Sequence, residues 1–585
     1  MPWFGHLIND LIWHEKPRIS GVFLVMECGV FVLGKNRLSW MALVFLVALC
    51  LSPAVVVILI AHTTQTLIML AYSFAGLALV LAPLAHLPRL TASGLAFLGL
   101  GAVVQLEMLM RFGGLVDVNA LALVSETNSG EAFPLLESIP QRLLLSLLLV
   151  AVAWGVTMRW PVSPPYWPGK RIAGMAGFSI VAILSIVVLF EGNDSQDAVT
   201  TFDAPPLERM EALRQAYPTG VPLVIAAYLK ERRELRNAAA TLEHFKFGAR
   251  RSQVGTWPRR VHVLVIGETG RADHWGMNGY SRDTTPRLSK RMDLISFRRF
   301  YSKATFTRLS VPVILSRKPP DSQEAVFHER SILAAAREAG YRTVWLSSQA
   351  PMGFHDSPVT ALAKDAEEVR FVSPVDYRHA GVVDEDLFPY VEQILSASNR
   401  DLFLVIHTMG SHFRYRDRYR AGDAVFLPDR PDSGSEQLYN PAHKEYLVNG
   451  YDNSILATDR FLDGLIVRLE KLNAASWIFY VADHGEALFD DCRGESGHGQ
   501  SSPATHHVAA LWWGAPAYVE RRRQAVELLK SNGNSLLSTA MVFDTLAHMA
   551  DIQVPGYRPS FDFSSGIVNA PQDIRDFGLK EPRCQ

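Results

Sequence analysis

The chain has 585 residues, 49% of them hydrophobic, more than an ordinary soluble protein carries; this predicts a membrane part beside at least one further domain. Lys and Arg number 57 against 58 Asp and Glu, so no basic excess offers a footprint for a polyanion and nucleic acid is not expected as a partner. Cys28, Cys50, Cys492 and Cys584 give neither a disulfide framework nor a Cys-rich metal site; the last two fall in the C-terminal part, where they pair or stay free.

Residues 1–38 read as a cytoplasmic or interfacial segment. Trp3, Asp10, Trp13 and Glu15 do not suit a cleaved signal peptide, and the apolar run 19–34 is short and broken by Glu27, which suggests an interfacial or re-entrant piece, with a sixth span as the alternative. A transmembrane domain follows over 39–192, with five apolar runs at 40–61, 65–85, 93–110, 143–158 and 172–190. Lys16, Arg18, Lys35 and Arg37 before the first run, Arg89 between the second and third, and Arg159, Lys170 and Arg171 between the fourth and fifth mark the cytoplasmic side, which places everything after residue 190 outside. Glu107 in the third run is expected at the interface beside Arg111. The external loop 111–141 carries Asp117, Asn119, Glu126, Thr127, Asn128 and Glu131, either as a solvated surface or as a headgroup-binding lid.

Residues 193–258 form a polar bridge with two amphipathic candidates, Leu207 to Ala216 and Val221 to Asn237. Lys230, Arg232, Arg233 and Arg236 lie on the second, as a solvated face or as contacts to headgroups. From 259 to 585 short β-branched and aromatic strands alternate with helical segments, which predicts an α/β domain with a mostly parallel sheet. Thr343 to Leu346 is one strand, preceded by a helix over Glu329 to Ala339, and Tyr451 to Lys471 reads as a long helix. Three strands run into metal-ligand residues: Val261 to Ile266 into Gly267-Glu268-Thr269, Leu402 to Ile406 into His407 and His412, and Trp477 to Ala482 into Asp483-His484-Gly485-Glu486. Ligands bind at the carboxyl ends of strands in open α/β sheets, so carboxylates and imidazoles meeting there predict a metal-dependent site. Arg271, Asp273, Asn278 and Tyr280 read as a structural turn, and His262, His355, His506 and His507 as surface or core histidines.

The stretch Val265 to His274, then Asn278-Gly279-Tyr280-Ser281-Arg282-Asp283-Thr284-Thr285-Pro286, resembles the phosphoethanolamine transferases of the alkaline phosphatase/sulfatase superfamily. The likeness continues through Thr305 to Pro312, Met409-Gly410-Ser411-His412, Tyr451-Asp452-Asn453, Asp483-His484-Gly485-Glu486 and His498-Gly499, and reaches back to Val116-Asp117 and Glu126-Thr127-Asn128. It implies an α-helical bundle of about five spans followed by an alkaline-phosphatase-like α/β domain, in the bacterial inner membrane with the catalytic domain in the periplasm. Glu268, Thr307, Asp483 and His484 correspond to zinc-binding residues, with Thr307 also the nucleophile and Thr305 its nearby competitor. His412 and His498 correspond to histidines that hold the phosphorylated intermediate, protonate the leaving group or bind a second zinc. His443 matches a headgroup-binding histidine, Asn119 and Glu126 are the substrate-binding candidates of the external loop, and His407 has no assigned role.

The implied reaction moves phosphoethanolamine from phosphatidylethanolamine to lipid A, lipopolysaccharide core or another envelope glycan, by way of a covalent intermediate on Thr307. Lys303 and Val313 stand where lipid A transferases carry cysteines, and Ser347-Ser348-Gln349 replaces an Asn-rich loop, so the acceptor stays open. A phosphoglycerol transferase or another phosphodiester enzyme of the superfamily is the alternative within enzymes; a sulfatase calls for a Cys or Ser nucleophile in a Cys/Ser-x-Pro-x-Arg setting, and none occurs at the site. A non-catalytic membrane scaffold or sensor is the alternative outside them.

Overall fold

The computed structural model describes residues 35–61, 64–81, 84, 87–112, 114–126, 141–161, 212–242, 244–252, 257–319, 322, 328–350, 357–373, 382–432, 437–490, 494–500, 502–566 and 568. The chain divides into two compact units, 1–109 with 140–223, and 110–139 with 224–585. In the first, α1 (Lys35–Ala61), α2 (Thr64–Leu81) and α3 (Pro88–Phe112) are followed, beyond the short helix α4 (Val118–Glu126), by α5 (Gln141–Arg159). Stretches of α1 (Arg37–Leu59), α3 (Pro88–Met110) and α5 are long and apolar enough to cross a membrane, and α2 carries a shorter apolar piece, Ile68–Leu81. The fifth predicted run, 172–190, and the segment 19–34 lie outside the described residues. Leu46, Cys50, Leu95, Val103 and Val150 are buried between these helices. Glu107 has an ion partner that the sequence reading did not foresee: Arg142 of α5 lies 3.2 Å away, which offsets the cost of a carboxylate within an apolar helix.

The second unit holds α4, most of α6 (Gly220–Leu242) and an α/β domain. Its sheet has seven strands, β1 (Arg260–Gly267), β2 (Leu294–Ser296), β3 (Arg342–Ser347), β4 (Glu368–Phe371), β5 (Leu402–His407), β6 (Ala475–Ala482) and β7 (Ala510–Gly514), in the order β2-β7-β6-β1-β5-β3-β4. The five strands β6-β1-β5-β3-β4 are parallel, and β7 joins antiparallel to β6 and to β2. Central β1 is buried along its whole length, as its run of valines, leucine and isoleucine requires of a strand covered on both faces. Edge strand β4 carries Glu368 and Arg370, charges that discourage pairing with another chain.

Helices α7 (Thr307–Leu315), α8 (Ile332–Glu338), α9 (Phe388–Ser396) and α10 (Lys444–Glu470) pack around this sheet, and one contiguous apolar core fills the domain. The long helix α10 begins at Lys444 rather than at Tyr451. Asn440 caps the preceding turn by accepting the Ala442 N–H at 3.1 Å, and Gly450 lies inside the helix facing the Tyr415 side chain rather than breaking it. In register, Ile266 lies opposite His407 and Val481, so the carboxyl ends of β5, β1 and β6 finish level with one another.

Candidate functional site

Glu268 leaves the end of β1 and is buried. The next residue, Thr269, has φ +60°, and its N–H donates to Asp483 Oδ1 at 3.1 Å while its carbonyl accepts the Tyr451 hydroxyl at 2.6 Å. Ser411 N–H donates to Glu268 O at 2.9 Å, and the loop comes so close that a Cβ at Gly410, whose φ is +45°, would stand 2.6 Å from that same oxygen. Only glycine fits there. At the end of β6, Asp483 Oδ1 also accepts the His484 N–H at 2.8 Å. His484 Nδ1 faces Gly485 O at 2.9 Å, which fixes the hydrogen on Nδ1 and turns Nε2 towards Glu268 Oε1 at 3.3 Å and Asp483 Oδ2 at 3.6 Å.

Thr307 is the first residue of α7, and its Oγ1 lies 3.2 and 3.1 Å from the two Glu268 carboxylate oxygens and 3.4 Å from His484 Nε2. Thr305 lies before the helix, outside this cluster. Glu268, Asp483 and His484 each offer one ligand atom, all within 4.8 Å of one another, and all three residues are buried. His484, Glu486 and His498 form a second such group. There His498 Nδ1 meets Glu486 Oε2 at 2.8 Å, and Glu486 Oε1 accepts the Tyr415 hydroxyl at 2.6 Å. The His498 ring stands 4.5 Å from that of His484 and 6.3 Å from that of His412, whose Nδ1 faces Phe413 O at 2.6 Å.

Charge explains why this cluster suits a cation. Burial pushes the Asp483 carboxyl up, and the charge of Glu268 adds to it, to about 6. Burial would also raise Glu268, yet the hydrogen bond and charge of His484, with His412 and His407, hold it below the usual carboxylate range. His484 is lifted to about 10 against the effect of burial, because Asp483 and Glu268 stabilise its imidazolium. Two buried carboxylates and an imidazole with an inward-facing Nε2 make the mixed O/N donor set that a divalent ion such as Zn²⁺ takes, the ion replacing the His484 proton.

The other candidates separate. His407 is buried at the end of β5 against the Trp345 ring, its Nε2 has no hydrogen-bond partner, and burial lowers it to about 4. His443 immediately precedes α10, where its Nδ1 accepts the Gln437 N–H at 2.9 Å and its ring meets Tyr446; it belongs to neither ligand group. Asn119 on α4 reaches α7, with Oδ1 3.5 Å from Nη1 of Arg308, whose guanidinium also pairs with Glu231 of α6. Glu126 is the last residue of α4, and its side chain lies outside the described residues, as do His355, Cys492 and Cys584. Arg271 is buried and paired with Asp273 and Asp490, in keeping with a structural turn.

Sequence reasoning missed three contributors. Glu486 is visible in its motif without a role of its own; Arg308, within the Thr305 to Pro312 stretch, and Gln349, in the departure at 347–349, have none either, because their partners are remote in the chain. Gln349, beyond β3, donates to Glu268 Oε2 at 2.9 Å.

Comparison with known proteins agrees with this architecture. Phosphoethanolamine transferase EptA of Salmonella typhimurium is 26% identical over 509 residues, covering 84% of this chain and 88% of that protein. Kdo(2)-lipid A phosphoethanolamine 7''-transferase of Escherichia coli is 28% identical over 305 residues, and there the match spans 50% of this chain and about half, 48%, of the relative. Among solved structures, the integral membrane lipooligosaccharide phosphoethanolamine transferase A of Neisseria meningitidis shares the fold with a TM-score of 0.65 at 22% identity, over 90% of this chain and 97% of that one. The family model described as Sulfatase matches residues 260–552, the segment that contains the whole seven-stranded sheet, α7 and both ligand groups, and the chain therefore belongs to the sulfatase family.

Proposed function

We propose that this protein is a zinc-dependent phosphoethanolamine transferase of the bacterial inner membrane, with its catalytic domain in the periplasm. Its donor is phosphatidylethanolamine and its acceptor lipid A, lipopolysaccharide core or another envelope glycan. The observation that carries this reading is the hydroxyl of Thr307 at the start of α7, 3.1 Å from Glu268 and 3.4 Å from His484. The names of the relatives support the transferred group, and the apolar helices suit a donor that lives in a bilayer.

Glu268, Asp483 and His484 would hold the ion, which supplies positive charge to lower the pKa of a hydroxyl and to polarise a phosphoryl oxygen. In the first half-reaction the Thr307 Oγ–P bond forms and the P–O bond to diacylglycerol breaks. The threonine proton is lost to solvent, Glu268 staying a carboxylate ligand, and the diacylglycerol oxygen takes a proton from His412 or His498. In the second, an acceptor hydroxyl gives its proton to that imidazole, its oxygen bonds to phosphorus as the Thr307 Oγ–P bond breaks, and Thr307 regains a proton from solvent. The first-turn N–H groups of α7 favour the anionic phosphoryl group throughout.

The test uses the purified full chain with zinc and fluorescent phosphatidylethanolamine. Diacylglycerol release and a phosphoethanolamine adduct on Thr307, seen by intact mass and absent from Thr307→Ala, are expected. Neither product from the wild type would overturn the donor and the intermediate together, and a glycerophosphate adduct from phosphatidylglycerol would favour phosphoglycerol transfer instead. Mass spectrometry of envelope glycolipids with and without the protein identifies the acceptor.

A further inference from the structure

Gln349 stands at the carboxyl end of β3, the neighbour of β5 on the side away from the ligand-bearing strands. Its residue is 5% exposed, and Nε2 donates to Glu268 Oε2 and to Thr408 O, both at 2.9 Å. Two acceptors on one nitrogen fix the orientation of the amide, since the flipped group would set its own oxygen against two others. The base of the side chain is fixed as well. Gln349 N–H donates to Ser347 Oγ at 3.1 Å, and Thr408 is bound to β1 by its N–H and its hydroxyl, which donate to Ile266 O at 3.0 and 3.1 Å.

The Gln349 side chain is thus a strut from the sheet onto one oxygen of the Glu268 carboxylate, while Thr269 Oγ1 donates to the other, Oε1, at 2.8 Å. Rotation of a glutamate carboxylate about its last torsion is otherwise soft, so the plane it presents depends on such outside contacts. We infer that Gln349 is a positioning residue that sets the plane of the Glu268 carboxylate and so the affinity of the site for its metal. The inference rests on the reading of Glu268, Asp483 and His484 as metal ligands.

The test measures zinc affinity of the full-length protein in detergent by competition with a chelating dye, together with thermal unfolding with and without zinc. Gln349→Met keeps the length of the side chain and removes its donors; Gln349→Glu sets an acceptor against Glu268. Loss of such an outer partner weakens metal binding by about 10- to 100-fold, and this is expected for the Met variant, with a larger loss for Glu. The metal-free melting temperature should hold while the zinc-induced rise shrinks, and transferase activity lost at stoichiometric zinc should return in excess zinc. Unchanged zinc affinity in both variants overturns the inference even where the melting temperature falls, because the amide would then serve packing alone. A wild type that binds no zinc overturns the ligand reading itself.

Discussion

His262 lies in the middle of β1 with no exposure, its ring stacked 4.7 Å from Trp477 and neither ring nitrogen hydrogen-bonded. Burial, reinforced by the charges of Arg260, Arg251 and Arg522, holds its pKa well below 6.5. Folded, the imidazole stays neutral; unfolded, it titrates normally, so below about pH 6.5 the unfolded chain binds the extra proton. Its contribution to stability is therefore present above that pH and lost as pH falls, by up to about 1.4 kcal/mol per unit. His262→Phe should unfold at a higher temperature at pH 7 and show a shallower fall in melting temperature between pH 7 and 5; equal slopes would contradict the account. The sequence permits the bland reading of His262, and it permits the functional one of Glu268, Asp483 and His484, because a strand that ends in a ligand residue declares itself locally. Gln349 does not, since its role depends on β3 lying beside β5, and strand order is not written in any one segment.

At the level of elements, α7 is held to α6 by the pair Arg308 and Glu231, whose side chains are 3% and 13% exposed, with Asn119 of α4 on the same guanidinium. Removing one partner of a buried pair takes away the charge that compensates the other, at a cost of about 3–5 kcal/mol. Glu231→Ala should lower the unfolding temperature strongly, and Arg308→Met combined with Glu231→Leu should recover much of that loss in thermal scans of the detergent-solubilised protein. A double variant no better than the single one would show that the pair is not what joins these helices. Helix α6 itself is legible from its amphipathic pattern, as are α1, α3 and α5 from their apolar runs; the start of α10 is not, because a glycine inside a helix and one that ends it look alike until Tyr415 is seen opposite.

For the whole molecule, the proposed topology puts the second unit outside the cytoplasmic membrane. Val425 and Leu427 are 66% and 65% exposed in the segment between β5 and α10, so a cysteine at either position is open to reagent. Leu427→Cys should react with a membrane-impermeant thiol reagent in intact spheroplasts as fully as after lysis. Labelling only after lysis would reverse the orientation that the basic residues between the apolar runs imply.

Thr269 gives the site a history as well as a geometry. A β-branched residue with φ +60° is held against its preference, at a cost of about 1–3 kcal/mol. The fold tolerates this because the same residue places one N–H on Asp483 and one hydroxyl on Glu268. Selection for heat resistance alone, applied to a library at position 269, should therefore return glycine and asparagine, whereas selection for zinc retention should return threonine.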